Sequence, residues 1–182
     1  MTTNSIPDSK KILRQTLRSR RQQMSPADVA ARSEKLANEI IETVGWSEIK
    51  TMHCFLPLVD DNEPDMRSLI EHALNRNIKV YTSDPSKQTG RKVLPVQDNK
   101  LQEQIIQYNV DGQQIDFDIV IVPMLGFDPK TKHRLGFGGG FYDRLIEKQP
   151  NTQTIGVCFD EFIVKDLPIE PTDKSLQKIL SC

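Results

Sequence analysis

The chain has no excess of one charge and no hydrophobic run of membrane-spanning length. Its 182 residues include 25 acidic and 24 basic side chains, which gives a net charge of −1. Proteins that bind DNA or anionic lipid usually carry a basic excess. The longest apolar run, residues 119–127, is much shorter than the ~20 residues that cross a bilayer. We therefore expect neither nucleic-acid binding nor insertion into a membrane.

Cysteines are few, and their spacing is irregular. The three residues Cys54, Cys158 and Cys182 form no CxxC pair and no Cys/His cluster. A disulfide framework and a structural zinc site are therefore not expected. The first eleven residues contain no apolar segment, so no secretory signal is expected either. We expect a cytoplasmic protein in which Cys54 and Cys158 are small buried apolar side chains in strands.

The length fits one domain spanning residues 1–182. Apolar runs predict strands at residues 52–56, 78–81, 117–123 and 154–159, and periodic segments predict helices at 9–23, 26–44, 64–75 and 141–148. Apolar strands that alternate with helices indicate a mainly parallel sheet covered on both faces. We expect a single three-layer α/β/α domain of Rossmann-like type. The polar stretch 83–114 is expected to form loops, with one hairpin and one short helix.

The first helix carries a basic stripe. Ser9 is predicted to cap this helix, just as Ser25 is predicted to cap the second helix, with Pro26 at its first position. The stripe lies beside three apolar residues, Leu13, Leu17 and Met24, and consists of Lys10, Arg14, Arg18 and Arg21. Such a stripe is either a solvated helix face or an anion-binding surface.

A glycine-rich segment follows the most apolar strand and precedes a predicted helix. Four of the nine glycines in the chain lie in it, namely Gly136, Gly138, Gly139 and Gly140. Ligands of α/β proteins bind beyond the carboxyl ends of strands, and backbone amides at a helix N-terminus favour anions. Together with Arg134 and Arg144 the segment predicts a phosphate site. The alternative is a turn that needs glycine only for positive φ.

The segment RLGFGGGFYDR, residues 134–144, resembles the glycine-rich signature of the 5-formyltetrahydrofolate cyclo-ligase family. Further blocks in the family's order extend the resemblance over nearly the whole chain: the basic segment 10–14, Phe55-Leu56-Pro57, Glu63-Pro64-Asp65, residues 118–123 and 125–128, and residues 167–168 with Asp173. Members of the family convert 5-formyltetrahydrofolate to 5,10-methenyltetrahydrofolate with ATP and Mg²⁺. The resemblance implies the same activity here, on small-molecule substrates, and we expect the protein to be a monomer.

The resemblance also implies roles for individual residues. Catalytic roles correspond to Arg134, Tyr142 and Asp143, and the Mg²⁺ ligands correspond to Asp143 and Asp173. The ATP-binding residues correspond to Lys10, Lys11, Ile12, Leu13, Arg14, Arg134, Leu135, Gly136, Phe137, Gly138, Gly139, Gly140, Phe141 and Tyr142. The folate-binding residues correspond to Leu56, Glu63, Phe137, Gly138, Gly139, Gly140 and Phe141.

Some alternatives remain open at this point. The segment 59–62 is about two residues longer than is usual in the family, so Asp61 is a rival of Glu63 for the pterin ring. Leu56 could be an ordinary core residue. The chain could also be a weakly active or non-catalytic paralogue that binds folate or nucleotide. A sugar-phosphate enzyme on a similar scaffold is disfavoured because no catalytic lysine or carboxylate pair lies near the strand ends.

Overall fold

The computed structural model describes residues 5–83, 93–112 and 114–182. Its helices are α1 (Ile6–Gln22), α2 (Pro26–Thr43), α3 (Arg67–Leu74), α4 (Asn99–Gln102) and α5 (Phe141–Lys148). Its strands are β1 (Thr51–His53), β2 (Lys79–Thr82), β3 (Ile106–Gln107), β4 (Ile119–Pro123), β5 (Gly126–Phe127), β6 (Arg134–Leu135), β7 (Gln153–Cys158) and β8 (Lys178–Ser181).

Six of these strands form one parallel sheet in the order β3-β2-β1-β4-β7-β8. In register, Met52 of β1 lies between Val80 and Ile119. The chain winds outward from β1 to β3, returns to the centre at β4 and then winds the other way. This is the strand order of Rossmann folds. The prediction of an α/β fold with a mainly parallel sheet is therefore confirmed, and the antiparallel β5–β6 pair stands apart from that sheet.

Both faces of the central strands are covered. All five residues of β4 are buried, as are five of the six residues of β7. Because successive side chains of a strand point to opposite faces, this pattern requires packing on both sides. The predicted apolar face of α3 is confirmed, since all four of its members are buried: Leu69, Ile70, Ala73 and Leu74.

The helix starts illustrate how local polar side chains set boundaries. The prediction for α2 is confirmed, because the Ser25 hydroxyl accepts a hydrogen bond from the Asp28 amide. The prediction that Ser9 caps α1 is wrong. Ser5 is the N-cap, and its hydroxyl accepts from the Asp8 amide while it donates to the Asp8 carboxylate. Ser5 supplies the same capping geometry four residues earlier, so Ser9 lies inside the helix.

Other boundaries differ from the sequence-based expectation. α3 starts at Arg67 instead of residue 64, because Asp65 accepts hydrogen bonds from the Arg67 amide and guanidinium and holds a turn there. β8 and the β5–β6 pair were not predicted. In the segment 83–114 the short helix is confirmed as α4, but no hairpin is found among its described residues. Residues 84–92 and 113 lie outside the described parts of the chain.

Cys54 and Cys158 are free and buried, as expected. Cys158 ends β7, and Cys54 lies one residue beyond β1. Burial raises the pKa of the Cys158 thiol to about 12 and that of Cys54 further still, so both thiols are protonated and act as apolar packing groups. Within the described ranges, no helix has the length and apolar character needed to span a membrane.

Candidate active site

The predicted site is built at the carboxyl edge of the sheet, where β1 and β4 lie side by side. From β1 the chain winds towards β2 and β3, and from β4 it winds towards β7 and β8. Ligands of open α/β sheets bind in the crevice at this reversal of strand order. The chain after β1 leads to Glu63, and the chain after β4 leads through β5 and β6 to the glycine loop, defined here as residues 136–140. The part of the predicted site that contains Glu63 and the part that contains the glycine loop therefore both start from the carboxyl edge of the sheet.

The glycine loop joins β6 to α5. Gly138 has a φ of +98°, and Gly140, the N-cap of α5, has a φ of +64°. Gly136 and Gly139 do not have a positive φ, and no heavy atom lies within 4 Å of the position that a Cβ would occupy at either residue. If the segment were only a turn that needs positive φ, glycine would be needed at two of its four glycine positions. The other two leave open space beside the backbone, as close approach by a ligand requires.

Two arginines hold the carbonyl groups of the glycine loop. Arg14 donates through Nε to the carbonyl oxygen of Gly136 at 2.9 Å, and Arg144 donates through Nη1 to that of Gly139, also at 2.9 Å. No side chain caps α5 among the residues that the structure describes. Its first amides are therefore available to an anion, and the two guanidinium groups add positive charge nearby.

The basic stripe of α1 is not a solvated helix face. Lys10 is 2% exposed and Arg21 is fully buried. The ammonium of Lys10 binds the Glu170 carboxylate at 2.8 Å and also the Asp173 carboxylate. Burial alone would raise the pKa of Asp173, but the Glu170 amide and Lys10 outweigh it, so this pKa is lowered. Lys10 and Asp173 thus meet as charged partners across 163 positions of sequence.

A second ion pair lies next to the first. Arg134 is 8% exposed and donates through Nη2 to Oδ1 of Asp143 at 2.8 Å. The same carboxylate oxygen accepts the Lys174 amide at 3.0 Å, and Arg134 also donates to the Lys174 carbonyl at 2.7 Å. The charge of Arg134 also contributes to lowering the pKa of Asp173. The two predicted metal carboxylates therefore share one cationic neighbour.

The donor set can be compared with what Mg²⁺ requires. Over residues 5–83, 93–112 and 114–182, no three His, Cys, Asp or Glu side chains are grouped so as to hold a metal ion. Mg²⁺ in nucleotide sites is commonly held by one or two carboxylates, with phosphate oxygens and water as the other ligands. Asp143, in the first turn of the helix that follows the glycine loop, and Asp173 provide two hard carboxylates of this kind near Arg134. The chemistry of the residues fits an ion that binds together with a polyphosphate.

Not every predicted nucleotide-binding side chain faces the glycine loop and the two ion pairs. Lys11 and Ile12 are exposed, Ile12 to 51%, and Leu13 packs against the core. Leu135 is also part of the core. These residues are close to the site in sequence, and Lys10 and Arg14 are the members of segment 10–14 whose side chains contact it.

The predicted folate side contains two buried carboxylates. Glu63 is 4% exposed and accepts the Leu58 amide at 2.8 Å. Asp61 is fully buried and accepts from Arg18 at 2.5 Å and from Gln22 at 3.1 Å. Both acids are thus held by neighbours on α1 or on their own loop.

Leu56 is 6% exposed and belongs to the hydrophobic core cluster. The alternative that it is an ordinary core residue is therefore compatible with its position. As the chain leaves β1, Leu56 lies between the strand and Glu63, so the core and the folate side of the predicted site adjoin each other here.

His53, at the carboxyl end of β1, was not identified from the sequence. It is fully buried, and its ring contacts four aromatic side chains: Tyr108, Phe117, Phe141 and Tyr142. Burial lowers the pKa of His53 to about 3, so its imidazole is neutral. Through Phe141 and Tyr142 this cluster supports the start of α5 and hence the glycine loop.

Tyr142 is the aromatic residue of α5 that follows Phe141. Burial, together with the nearby Cys54 and Glu63, raises the pKa of its hydroxyl well above the ordinary value, against a lowering effect of Arg134. The phenol is therefore neutral and can donate one hydrogen bond. Of the groups that act on it, Glu63 belongs to the predicted folate residues and Arg134 to the predicted ATP residues.

A small cleft of about 120 Å³ lies between α1 and the glycine loop, lined by Arg14, Gln15, Arg18, Leu125 and Phe137. A larger concavity of about 470 Å³ is a shallow surface on α2 that carries three glutamates. Its acidic lining is unsuited to a phosphate ligand. Ligand pockets usually exceed ~300 Å³, so the small cleft is below the usual size.

Comparisons with known proteins give one consistent result. The sequence model of the 5-formyltetrahydrofolate cyclo-ligase family matches residues 6–182. The 5-formyltetrahydrofolate cyclo-ligase of Escherichia coli K12 is 25% identical over 177 residues, which cover 91% of this chain and 96% of that protein. The enzyme of the same name from Haemophilus influenzae is 40% identical over 67 residues, covering 36% of this chain and 35% of its own.

Two solved structures share the fold. The 5,10-methenyltetrahydrofolate synthetase of Aquifex aeolicus superimposes with a TM-score of 0.69 at 22% identity, covering 94% of this chain and 89% of that one. The corresponding protein from Mycoplasma pneumoniae gives a TM-score of 0.68 at 20% identity, covering 93% and 96%.

Proposed function

Because the chain belongs to the 5-formyltetrahydrofolate cyclo-ligase family, we propose that it converts 5-formyltetrahydrofolate to 5,10-methenyltetrahydrofolate at the expense of ATP, releasing ADP and phosphate. The observation that carries this proposal is the joining of three distant segments at one edge of the sheet. Arg134 from β6 pairs with Asp143 in the first turn of α5 and also acts electrostatically on Asp173 of the C-terminal segment, which pairs with Lys10 from α1. Cations, carboxylates and glycine amides are the groups that phosphoryl transfer needs.

The proposed reaction has two steps. The formyl oxygen attacks the γ-phosphorus of ATP, the bond to the β,γ-bridging oxygen breaks, and ADP leaves. N10 of the folate then bonds to the activated formyl carbon, the carbon–oxygen bond breaks, and phosphate leaves as N10 loses its proton. No protein nucleophile is required, so catalysis consists of positioning and charge neutralisation.

The nucleotide half of the site is assigned to α1 and the glycine loop. Lys10, Arg14 and Arg134 would neutralise the phosphate oxygens, and the amides of residues 138–140 would donate to them. Asp143 and Asp173 would hold Mg²⁺, which supplies further neutralisation of phosphate charge when it is bound. The ion pairs Lys10–Asp173 and Arg134–Asp143 support this assignment, because each brings one of these cations together with one of these carboxylates.

The folate half is assigned to the segment after β1 and to the aromatic side chains around the glycine loop. Leu56, Phe137 and Phe141 would provide apolar surface for the pterin ring, and Glu63 would accept hydrogen bonds from its N–H groups. Of the two rival carboxylates, Glu63 is the one that the family resemblance assigns to the pterin, and Asp61, which is bound by Arg18 and Gln22, remains its rival. Tyr142 would donate its hydroxyl to a phosphate or formyl oxygen between the two halves.

We further propose that residues 1–182 act as one domain and as a monomer on these small molecules, in the cytoplasm. Contacts between the two ends of the chain support a single unit, since Arg32 donates to the carbonyl of Cys182 and Lys10 binds Asp173. The three free thiols are typical of a reducing compartment.

The test is an assay of purified protein with 5-formyltetrahydrofolate and Mg·ATP, in which methenyl product and ADP are both quantified. Equal amounts of the two products support the proposal. Folate binding without ADP formation would instead identify a non-catalytic paralogue. A reaction without ATP is the control, because the proposed first step cannot occur without a phosphoryl donor.

A further inference from the structure

Arg21 is an arginine of α1 that the proposed reaction does not use. Its side chain is fully buried, and that burial lowers its pKa, although Glu63 acts in the opposite direction. Removing a guanidinium from water is costly unless other groups replace its solvation. The burial of this charge must therefore serve the structure or the function, and the contacts of Arg21 indicate which of the two it serves.

The guanidinium of Arg21 links the two segments that diverge at the carboxyl edge. It donates through Nε to the carbonyl of Asp61 at 2.6 Å and through Nη1 to the carbonyl of Met124 at 2.8 Å. The first carbonyl lies on the segment after β1, and the second directly follows β4. Arg21 therefore fixes the spacing between the folate loop and the strand that leads to the glycine loop.

The third nitrogen of the same group faces Glu63. Arg21 Nη2 is 3.9 Å from Oε1 of Glu63 and has no hydrogen-bond partner within the described part of the chain. Its guanidinium carbon also lies 5.7 Å from the centre of the Phe137 ring. One buried cation thus borders two residues that the proposed function assigns to the pterin, the carboxylate and the aromatic ring.

We propose that Arg21 is a positioning residue for folate, which holds Glu63 and Phe137 at a fixed spacing across the switch between β1 and β4. This inference rests on the proposed function, because the roles of Glu63 and Phe137 come from it. The nucleotide contacts belong to other cations, Lys10 and Arg14, which lie elsewhere on α1. A defect at Arg21 should therefore weaken folate binding and leave ATP binding nearly unchanged.

The test uses Arg21→Lys, which keeps the charge and removes the planar fork that reaches several acceptors at once. Dissociation constants for 5-formyltetrahydrofolate and for ATP are measured separately by calorimetry. We expect folate affinity to fall about tenfold, the loss that follows when a buried charged hydrogen-bonding group is disrupted. ATP affinity should change less than about twofold. Arg20→Lys, one residue away and at the surface, should change neither.

A double variant separates positioning from general destabilisation. In a Glu63→Gln background the same Arg21→Lys change should cost much less folate affinity than it does alone, because the residue being positioned has already lost its charge. If Arg21→Lys does not fold alone, Arg21→Met with Glu63→Gln removes both charges and is compared with Glu63→Gln.

The measured affinities for ATP and folate decide whether Arg21 is a positioning residue. Equal losses for ATP and folate, or no loss for either, in the folded variants would overturn the positioning role. Independent effects of the two substitutions on folate affinity would also overturn it. Wild-type protein that binds no folate would overturn the proposed function instead, so the two failures are distinguishable.

Discussion

Arg134 and Asp143, which are assigned to phosphate and to Mg²⁺, are each other's partners, with Nη2 of the arginine 2.8 Å from Oδ1 of the aspartate. Lys10 and Asp173 form a second pair of the same kind. Under the proposed function each pair must separate when Mg·ATP binds. The phosphates would then take the cations, and Mg²⁺ would be held by the carboxylates. Because separation of the two ion pairs by one ligand would release the groups that the other ligand needs, we expect metal and ATP to bind cooperatively.

Substitution of Lys10 tests this exchange of partners. Lys10→Met removes a phosphate-binding cation and leaves Glu170 and Asp173 without their counter-ion. We expect the KM for ATP to rise about tenfold, as for loss of a charge-assisted contact. Binding of Mn²⁺ without ATP, followed by electron paramagnetic resonance, should become tighter. Lys35→Met, on the exposed face of α2, should change neither value, and an unchanged KM in Lys10→Met would remove Lys10 from the nucleotide site.

Replacement of Asp143 by asparagine tests its proposed metal role. The amide oxygen of the new side chain can still accept from the Lys174 amide and the Arg134 guanidinium, so the fold should survive with a small change in Tm. Turnover should fall at least about 100-fold, because a neutral amide cannot balance the charge of Mg²⁺ beside the phosphates. The measurements are kcat and thermal unfolding. Asp111→Asn, an exposed acid that pairs with Arg144, is the control, and full activity in Asp143→Asn contradicts the metal role.

Much of the fold follows from local patterns. The run Ile119–Val122 predicts a central strand, the Ser25-Pro26 pair predicts the start of α2, and both are found. Edge elements carry weaker signals. β8 has only partly buried residues apart from Leu180, and β3 is two exposed residues long, so neither has the apolar run that identifies a central strand.

The site could be predicted in part. The glycine loop and the basic stripe are visible in the sequence, but the partners of the stripe are not. Lys10 meets Glu170 and Asp173 only after the chain has folded, because they are separated by more than 150 residues. The burial of Arg21 has one local signal, its position four residues after the core residue Leu17 on the same helix face.

The glycine loop offers a matched pair of substitutions. At Gly138 a side chain would be strained by the φ of +98° and would meet the Arg14 guanidinium at 3.3 Å, whereas at Gly139 it would meet nothing within 4 Å. Gly138→Ala should lower the free energy of unfolding by about 1–2 kcal/mol and raise the KM for ATP. Gly139→Ala should leave the free energy of unfolding unchanged within about 0.5 kcal/mol. It should change the KM for ATP only through contact of the added methyl group with the nucleotide. Urea unfolding and initial rates measure both, and equal stability of the two variants would refute the conformational argument.

The neutral imidazole of His53 predicts a pH dependence of stability. Its pKa is lowered from 6.5 to about 3 in the folded protein, so below pH 6.5 the unfolded chain takes up a proton that the folded chain cannot. The stability contributed by the neutral ring is complete above pH 6.5 and is lost as the pH falls towards 3. The loss amounts to about 1.4 kcal/mol for each pH unit.

His53→Phe isolates this contribution, because it keeps an aromatic ring among Tyr108, Phe117, Phe141 and Tyr142 and removes the titrating nitrogens. It also removes the buried Nδ1, which lacks a partner among the described residues. Both proteins are unfolded in urea from pH 7 to pH 4.5. As the pH falls, the free energy of unfolding of the variant should rise relative to that of the wild type, since all other groups titrate in both. His72→Phe, at a half-buried position on α3, should produce a smaller gain. Parallel stability curves for wild type and His53→Phe would mean that the ring at position 53 can be protonated in the folded state, and the closed aromatic packing behind the glycine loop would then have to open in mild acid.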